Sequence, residues 1–314
     1  MDKPHTEHRP GRAIALKLTA VFLFMCMAAM IKEATQEVPP GQAVFFRSLF
    51  AIPVIGLWLW QRGEIREGLI PNNLMGHIYR GVFGASAMVL TFGGLKLISL
   101  PEATAIGYAT PMFTVILAAV FLGERVRIFR LSAVGLGLLG VMIVMAPRLS
   151  LDAETLTTGA TLGAILTLGA ALLRALVQIH VRKMVSTEHT AAIVFYFSLT
   201  ATTLSLLSIP FGWVWPSQNS LILLIGAGLV GGVAQILVTS SYRFGAASML
   251  APFDYSSLIF ASILGYFLFS ETPTSNMLFG AGLVVAGGVL IIWRERQLGM
   301  DRAKSRAATA PKGE

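Results

Sequence analysis

Ten stretches of this chain carry enough consecutive apolar residues to cross a bilayer, and short polar punctuation separates them. They run over about 13–31, 41–60, 74–95, 101–122, 129–146, 159–181, 190–211, 220–242, 246–269 and 275–293, each near the roughly 20 residues that a hydrocarbon core demands of a helix. They are called segments one to ten below. Pro39-Pro40-Gly41 divides segments one and two, Pro71-Asn72-Asn73 precedes segment three, and Pro101 opens segment four. Pro216-Ser217-Gln218-Asn219 divides segments seven and eight, and residues 150–158 form the longest polar link. Segment one follows a basic leader, as a signal peptide does. Its length and its place in the count make it a first span instead.

The apolar pattern repeats. Tyr108–Met145 aligns without a gap on Tyr255–Ile292. Tyr108 meets Tyr255, Phe113 meets Phe260, Ile116-Leu117 meets Ile263-Leu264, Glu124 meets Glu271, and Gly140 meets Gly287. Five segments separate the copies, so the second is expected to lie upside down relative to the first. Inverted repeats of that kind build two-sided carriers with a site at the repeat interface.

Composition narrows the class. The chain is 55% hydrophobic and 13% charged, against about 25% charged in soluble domains. A net charge of +8 would suit a nucleic-acid binder, but the basic residues sit in short clusters between apolar runs. Basic loops on the cytoplasmic face account for the same excess. With the N-terminus inside, nineteen of the 24 lysines and arginines fall on the inner side, Lys17 and Arg80 counted there as span-end charges. Lys32, Lys96 and Arg148 fall outside, and Arg47 and Arg174 lie within spans. Both termini are therefore expected in the cytoplasm. The loop after the first copy, Glu124–Arg130, is basic, whereas its twin Glu271–Ser275 has no arginine, as opposite insertion requires. Cys26 is the single cysteine, which excludes an internal disulfide and a cysteine metal cluster.

No hydrolase elbow, phosphate loop or zinc-ligand spacing stands out, so neither catalysis nor a metal or other cofactor is expected. An ionisable group inside a membrane costs at least ~2.5–3.5 kcal/mol and marks a site or a buried pair. Asp254 lies roughly 12 Å into segment nine at 1.5 Å per residue. Its repeat equivalent is Gly107, so the repeated scaffold does not require it. It is a candidate for binding a proton or cation, the alternative being a pair with Arg174 or Arg47. Arg174 is a candidate for binding an anionic group such as a carboxylate, and Arg47 for binding or balancing charge, with snorkelling as the alternative for both. Tyr108 and Tyr255 can stack and hydrogen-bond, or simply pack. Gln178, on the face of Arg174, and Tyr196 and Gln235 complete the candidates. Lys32 and Glu33 read as a solvated rim, and Glu124 and Glu271 as helix-end anchors. Gly228 with Gly232, Gly81 with Ala85, and Gly282 with Ala286 suit close helix packing or a dimer seam. Pro111 and Pro252, each three residues from a repeated tyrosine, either shape a cavity or only kink their helices.

Two passages resemble a known family. "AIGYATPMFTVILAAVFLGERV" at Ala105–Val126 followed by "GLGLLGVMIV" is similar to the EamA domain of the drug/metabolite transporter superfamily, and "LAPFDYSSLIFASILGYFLFSETPT" followed by "GAGLVVAGGVLIIWRE" is similar to its second copy. "FFRSLFAIP", "HIYRG" and "APFDYSSL" resemble the branch containing bacterial S-adenosylmethionine-uptake carriers. The resemblance implies an all-α integral membrane fold of ten transmembrane helices in two inverted five-helix repeats. Segments five and ten would lie away from a central cavity. The implied parts are a tail at 1–12, a first repeat at 13–147, a linker at 148–158, a second repeat at 159–296 and a disordered tail at 297–314.

The expected function is secondary transport of a small polar or amphipathic metabolite by alternating access, in a multi-pass protein of the bacterial inner membrane. Specific uptake of S-adenosylmethionine or riboflavin, and export of amino acids or other metabolites, are the alternatives within the family. A membrane-embedded enzyme, built around His180, His189 and Glu188, and an accessory or channel-like protein are remoter ones. The expected partners are the metabolite and the lipid bilayer, with proton or exchange coupling and a homodimer left open, and no nucleic acid.

Overall fold

The computed structural model describes residues 10–122, 128–146, 159–184, 187–244 and 250–309, and among these it is helical with no strand. Among the described residues, seven helices are long and apolar enough to cross a membrane. Three shorter apolar helices, Leu131–Met145, Phe253–Phe269 and Ser275–Leu290, fall in segments five, nine and ten.

Local chemistry sets the boundaries. The helix Leu74–Leu97 starts where the Asn73 side chain accepts from the Gly76 backbone N–H. The helix Leu100–Gly107 starts at a capping box, Ser99 with Glu102, which satisfies two backbone donors reciprocally. Pro40 stands in the first turn of Pro40–Gln61, where its missing N–H costs nothing. Segment seven ends in a 3-10 turn, Leu206–Phe211, and the chain reverses through Gly212 at φ 89°, a conformation glycine adopts without strain. The helix of segment ten runs Ser275–Thr309, past residue 296 into the stretch expected to be a disordered tail. Its added residues are rich in alanine, arginine and lysine, which are strong helix formers.

Segments four and nine are broken at the repeated tyrosines. In segment four, the helices Leu100–Gly107 and Ala109–Leu122 meet at Tyr108. Pro111 has no N–H to offer the Gly107 carbonyl four residues back, and the Thr110 hydroxyl donates to that carbonyl instead, at 2.8 Å. In segment nine a 3-10 turn, Ala251–Tyr255, leads into the helix Ser256–Phe269.

The packing interleaves the halves. Pro10–Ala34 of segment one lies on Gln218–Phe244 of segment eight, and Ala160–Met184 of segment six lies on Leu74–Leu97 of segment three. Segment nine rests on segment one, as segment four rests on segment six. These main pairings survive exchange of each segment with its counterpart in the other half. Ile128–Met145 of segment five and the helix of segment ten pair with each other through glycines. A Cβ at Gly140 would fall 2.5 Å from the Gly280 carbonyl oxygen, and one at Gly280 would fall 2.6 Å from that of Gly140. Such contact lets helix backbones touch where water supplies no drive for association. Gly228 and Gly232 press likewise on Phe50 and Val54 of segment two, whereas nothing lies near Gly282.

One end of the bundle is tied by polar links between halves. Lys32 is buried rather than part of a solvated rim. Its ammonium donates to the carbonyls of Leu95 (3.1 Å) and Ile98 (2.6 Å) and pairs with Glu271 at 3.0 Å. Glu271 also accepts from the Leu100 N–H at 2.9 Å, so it acts as an anchor, and Glu33 is exposed. Glu124, the repeat partner of Glu271, lies outside the described residues. Nearby, Glu37 accepts from Ser217 and Ser220, and Gln42 exchanges two hydrogen bonds with the Val214 backbone.

Candidate functional site

A vestibule of about 540 Å³ opens at the opposite end, lined by Trp58, Arg62, Glu64, His189, Gln235 and Arg80, among others. A second cavity, of about 230 Å³, is bordered by Arg47, Arg80 and Arg174, with Phe197, Met27 and Thr91. Arg80 lines both spaces. A further groove of about 400 Å³, beside Val44, Val82 and Leu204, has no charged side chain in its lining.

The three arginines come from segments two, three and six, and so from both halves. Arg47 is only 7% exposed. Two guanidinium nitrogens of each arginine are shielded from solvent and have no hydrogen-bond partner: Nε and Nη1 of Arg47 and of Arg80, and Nε and Nη2 of Arg174. The Phe197 ring gives partial relief, with the Arg80 guanidinium 3.8 Å and that of Arg47 5.8 Å from its centroid. A Cβ at Gly84 would strike Arg80 Nη1 at 2.5 Å, so glycine there makes room for the guanidinium. Arg174 reaches across to segment four, where a Cβ at Gly107 would stand 3.1 Å from its Nη2.

Asp254 pairs with neither Arg174 nor Arg47. Its carboxylate lies 2.7 Å from the Lys17 ammonium, with the lysine side chain 3% and the aspartate 52% exposed. Tyr108 and Tyr255 meet edge to face, 5.0 Å between centroids. The Tyr108 hydroxyl lies 2.5 Å from Ser257 Oγ, donates to the Tyr255 carbonyl at 3.1 Å and accepts from the Leu258 N–H at 3.0 Å. It thus clasps the broken helix of the other half. Gly288 leaves the space that the Tyr255 hydroxyl occupies.

The remaining candidates sit apart from the arginine cavity. Gln235 lines the vestibule. Gln178 is exposed and accepts from the Thr114 hydroxyl at 3.1 Å. Tyr196 donates to the Leu69 carbonyl at 2.9 Å, fastening the short helix Ile65–Leu69. Glu188 bonds His77 at 3.1 Å, while His180 contacts the Gly76 carbonyl and His189 caps the Ala191 N–H. Burial alone would raise the Glu188 carboxyl, but hydrogen bonds from His77, Asn72 and Asn73 outweigh it and hold the group below the usual carboxylate range. Arg80 was not singled out from the sequence. It sits near the start of segment three beside Tyr79 and reads there as a span-end charge. The available signal was Gly84, one turn along the same face.

Known proteins agree in kind with this architecture. The chain matches the EamA-like transporter family over residues 11–146 and 161–293. It is 30% identical over 285 residues to a pseudopaline exporter of Pseudomonas aeruginosa, covering 89% of this chain and 93% of that one. An S-adenosylmethionine uptake transporter of Rickettsia felis is 26% identical, over 82% of this chain and 84% of its own. A riboflavin transporter of Vibrio cholerae is 26% identical, over 94% and 98%. A solved crystal structure superposes with a TM-score of 0.64 at 20% identity, over 92% of this chain and 99% of the other, which supports the fold.

Proposed function

The chain belongs to the EamA-like transporter family, and from that premise we propose that it carries a small metabolite through the bacterial inner membrane by alternating access. The observation that carries this reading is the double place of Arg80, which borders both the vestibule and the inner cavity. Arg80 thus joins a vestibule at one end of the bundle to a charged centre built from both halves, the place where carriers with inverted repeats hold their sites.

In this reading ten segments span the bilayer as two inverted five-helix units, with both termini in the cytoplasm. The vestibule, on the side of the Arg62 loop, is then the cytoplasmic mouth. The Lys32–Glu271 and Glu37–Ser217 links are the closed periplasmic gate. Arg174 and Arg47 bind substrate charge together with Arg80. The Tyr108–Tyr255 contact is the joint about which the halves rock, and the Lys17–Asp254 pair is the place where a proton or cation enters the cycle.

Proteoliposomes test it. Full-length protein should exchange at least one labelled solute from a panel of S-adenosylmethionine, riboflavin, amino acids and carboxylates. Folded, correctly inserted protein that exchanges none of them would defeat the carrier reading. Single cysteines placed at Arg66 and Ser217 in a Cys26→Ser background should label from opposite faces. Labelling from the same face would reject the topology.

A further inference from the structure

Resting on the carrier reading above, we infer that the substrate is anionic, bearing a carboxylate or phosphate group that Arg47, Arg80 and Arg174 grip together, with an uncharged part against Phe197 and Met27. Three arginines border one cavity, and two guanidinium nitrogens of each are shielded from water without a hydrogen-bond partner. Shielded cations are costly unless an opposite charge and hydrogen bonds offset the lost water. Elsewhere among the described residues such groups have found partners: Lys17 has Asp254 and Lys32 has Glu271. No acidic side chain borders this cavity. The fork geometry of arginine matches the paired oxygens of carboxylates and phosphates. Pockets for drug-sized ligands measure about 300–1,000 Å³. The inner cavity of about 230 Å³ therefore suits a small acid or the acidic end of a longer molecule whose remainder extends past Arg80 into the vestibule.

The repeat supplies a contrast at this point. Lys17 of segment one meets segment nine at Asp254, and Arg174 of segment six meets segment four at Gly107. Gly107 is the repeat equivalent of Asp254. Where one half supplies a carboxylate, the other supplies a glycine, and the substrate provides the missing negative charge.

The test is thermal unfolding of the purified full chain, at ionic strength fixed with sodium chloride, against citrate, succinate, inorganic phosphate and, as the ligand without an acid group, riboflavin. At least one of the three anions should raise the midpoint. Arg80→Gln and Arg174→Gln should each weaken that ligand about thirtyfold, the factor for removing one partner of a desolvated charge pair. The unliganded variants should melt no lower than the wild type. Should a glutamine variant fail to fold, Gly107→Asp carries the same test. It retains all three arginines, places a carboxylate beside Arg174, and should abolish the anion response. No response to any anion, or an equal response in every variant, overturns the inference. Proteoliposomes separate it from its premise. Exchange of riboflavin, which carries neither a carboxylate nor a phosphate, with no exchange of any anion leaves the carrier standing and sinks the anion site. Anion binding without exchange of any solute does the reverse.

Discussion

Lys17 and Arg174 both lie on the first helix of their half, yet their electrostatic fates differ. Each projects from the first helix of its half toward the broken helix of the opposite half. Lys17 finds a carboxylate at 2.7 Å, whereas Arg174 finds a glycine. Lys32, buried at the other end, resembles Lys17 in having an acidic partner, Glu271 at 3.0 Å. A duplicated scaffold thus carries two kinds of shielded cation. One kind is paired within the chain, and the other, in the proposed reading, is left for the substrate. Stability separates the kinds, because removing the partner of a paired charge strands it, whereas removing an unpaired charge relieves the fold.

The largest stability loss should follow Glu271→Ala. The pair is nearly enclosed, with side chains 10% and 16% exposed, and breaking a buried pair costs about 3–5 kcal/mol. Because Lys32 keeps two carbonyl acceptors, a loss of about 3 kcal/mol is expected, read by denaturant or thermal unfolding in detergent. A variant as stable as the wild type would mean that the lysine is not held by this contact. Asp254→Ala should act the same way but less, by about 1–2 kcal/mol, since the aspartate is half exposed and screened. Asp254→Asn adds a transport arm. If the pair is where a proton enters the cycle, the variant loses the pH dependence of exchange, and an unchanged pH profile would remove Asp254 from that role.

The sign should reverse at Arg174. Replacing an unpaired, shielded guanidinium with glutamine removes a desolvation cost, so Arg174→Gln should leave the unliganded protein unchanged or raise its stability by up to about 1 kcal/mol. A drop comparable to that of Asp254→Ala would show that Arg174 is a structural group and would erase the distinction between the two halves.

The sequence made some of this legible, and the reasons are physical. A membrane imposes length and apolarity on every span, so segments announce themselves through composition, and proline and asparagine clusters mark their ends. The breaks at Tyr108 and Tyr255 were foreshadowed by Pro111 and Pro252. The charge pairs were hidden because contact partners lie far apart in the chain: Lys17 and Asp254 belong to segments one and nine, and Lys32 follows segment one while Glu271 lies between segments nine and ten. Lys17 and Arg80 both read as span-end charges, since proximity to a segment's end is visible in sequence and the direction of a side chain is not. Arg47 and Arg174 stood out because they lie deeper, which is why two of the three arginines around the cavity could be named in advance.

The smallest effect tests the same contrast in solvent. Glu37 sits at the tied end but is exposed. Hydrogen bonds from Ser220 and then Ser217 hold its carboxyl below the ordinary value of 4.5. A depressed folded-state value means that the ionised carboxylate favours the fold. Its contribution is present above about pH 4.5, the unfolded value, and fades as pH falls through the lower folded value. Glu37→Gln should therefore melt slightly below the wild type at pH 7, and the gap should close on acidification. At pH 7 the gap should be much smaller than that of Glu271→Ala, because water competes for an exposed carboxylate and salt screens it. Equal effects from the two glutamates would mean that burial does not decide which link ties this end of the bundle.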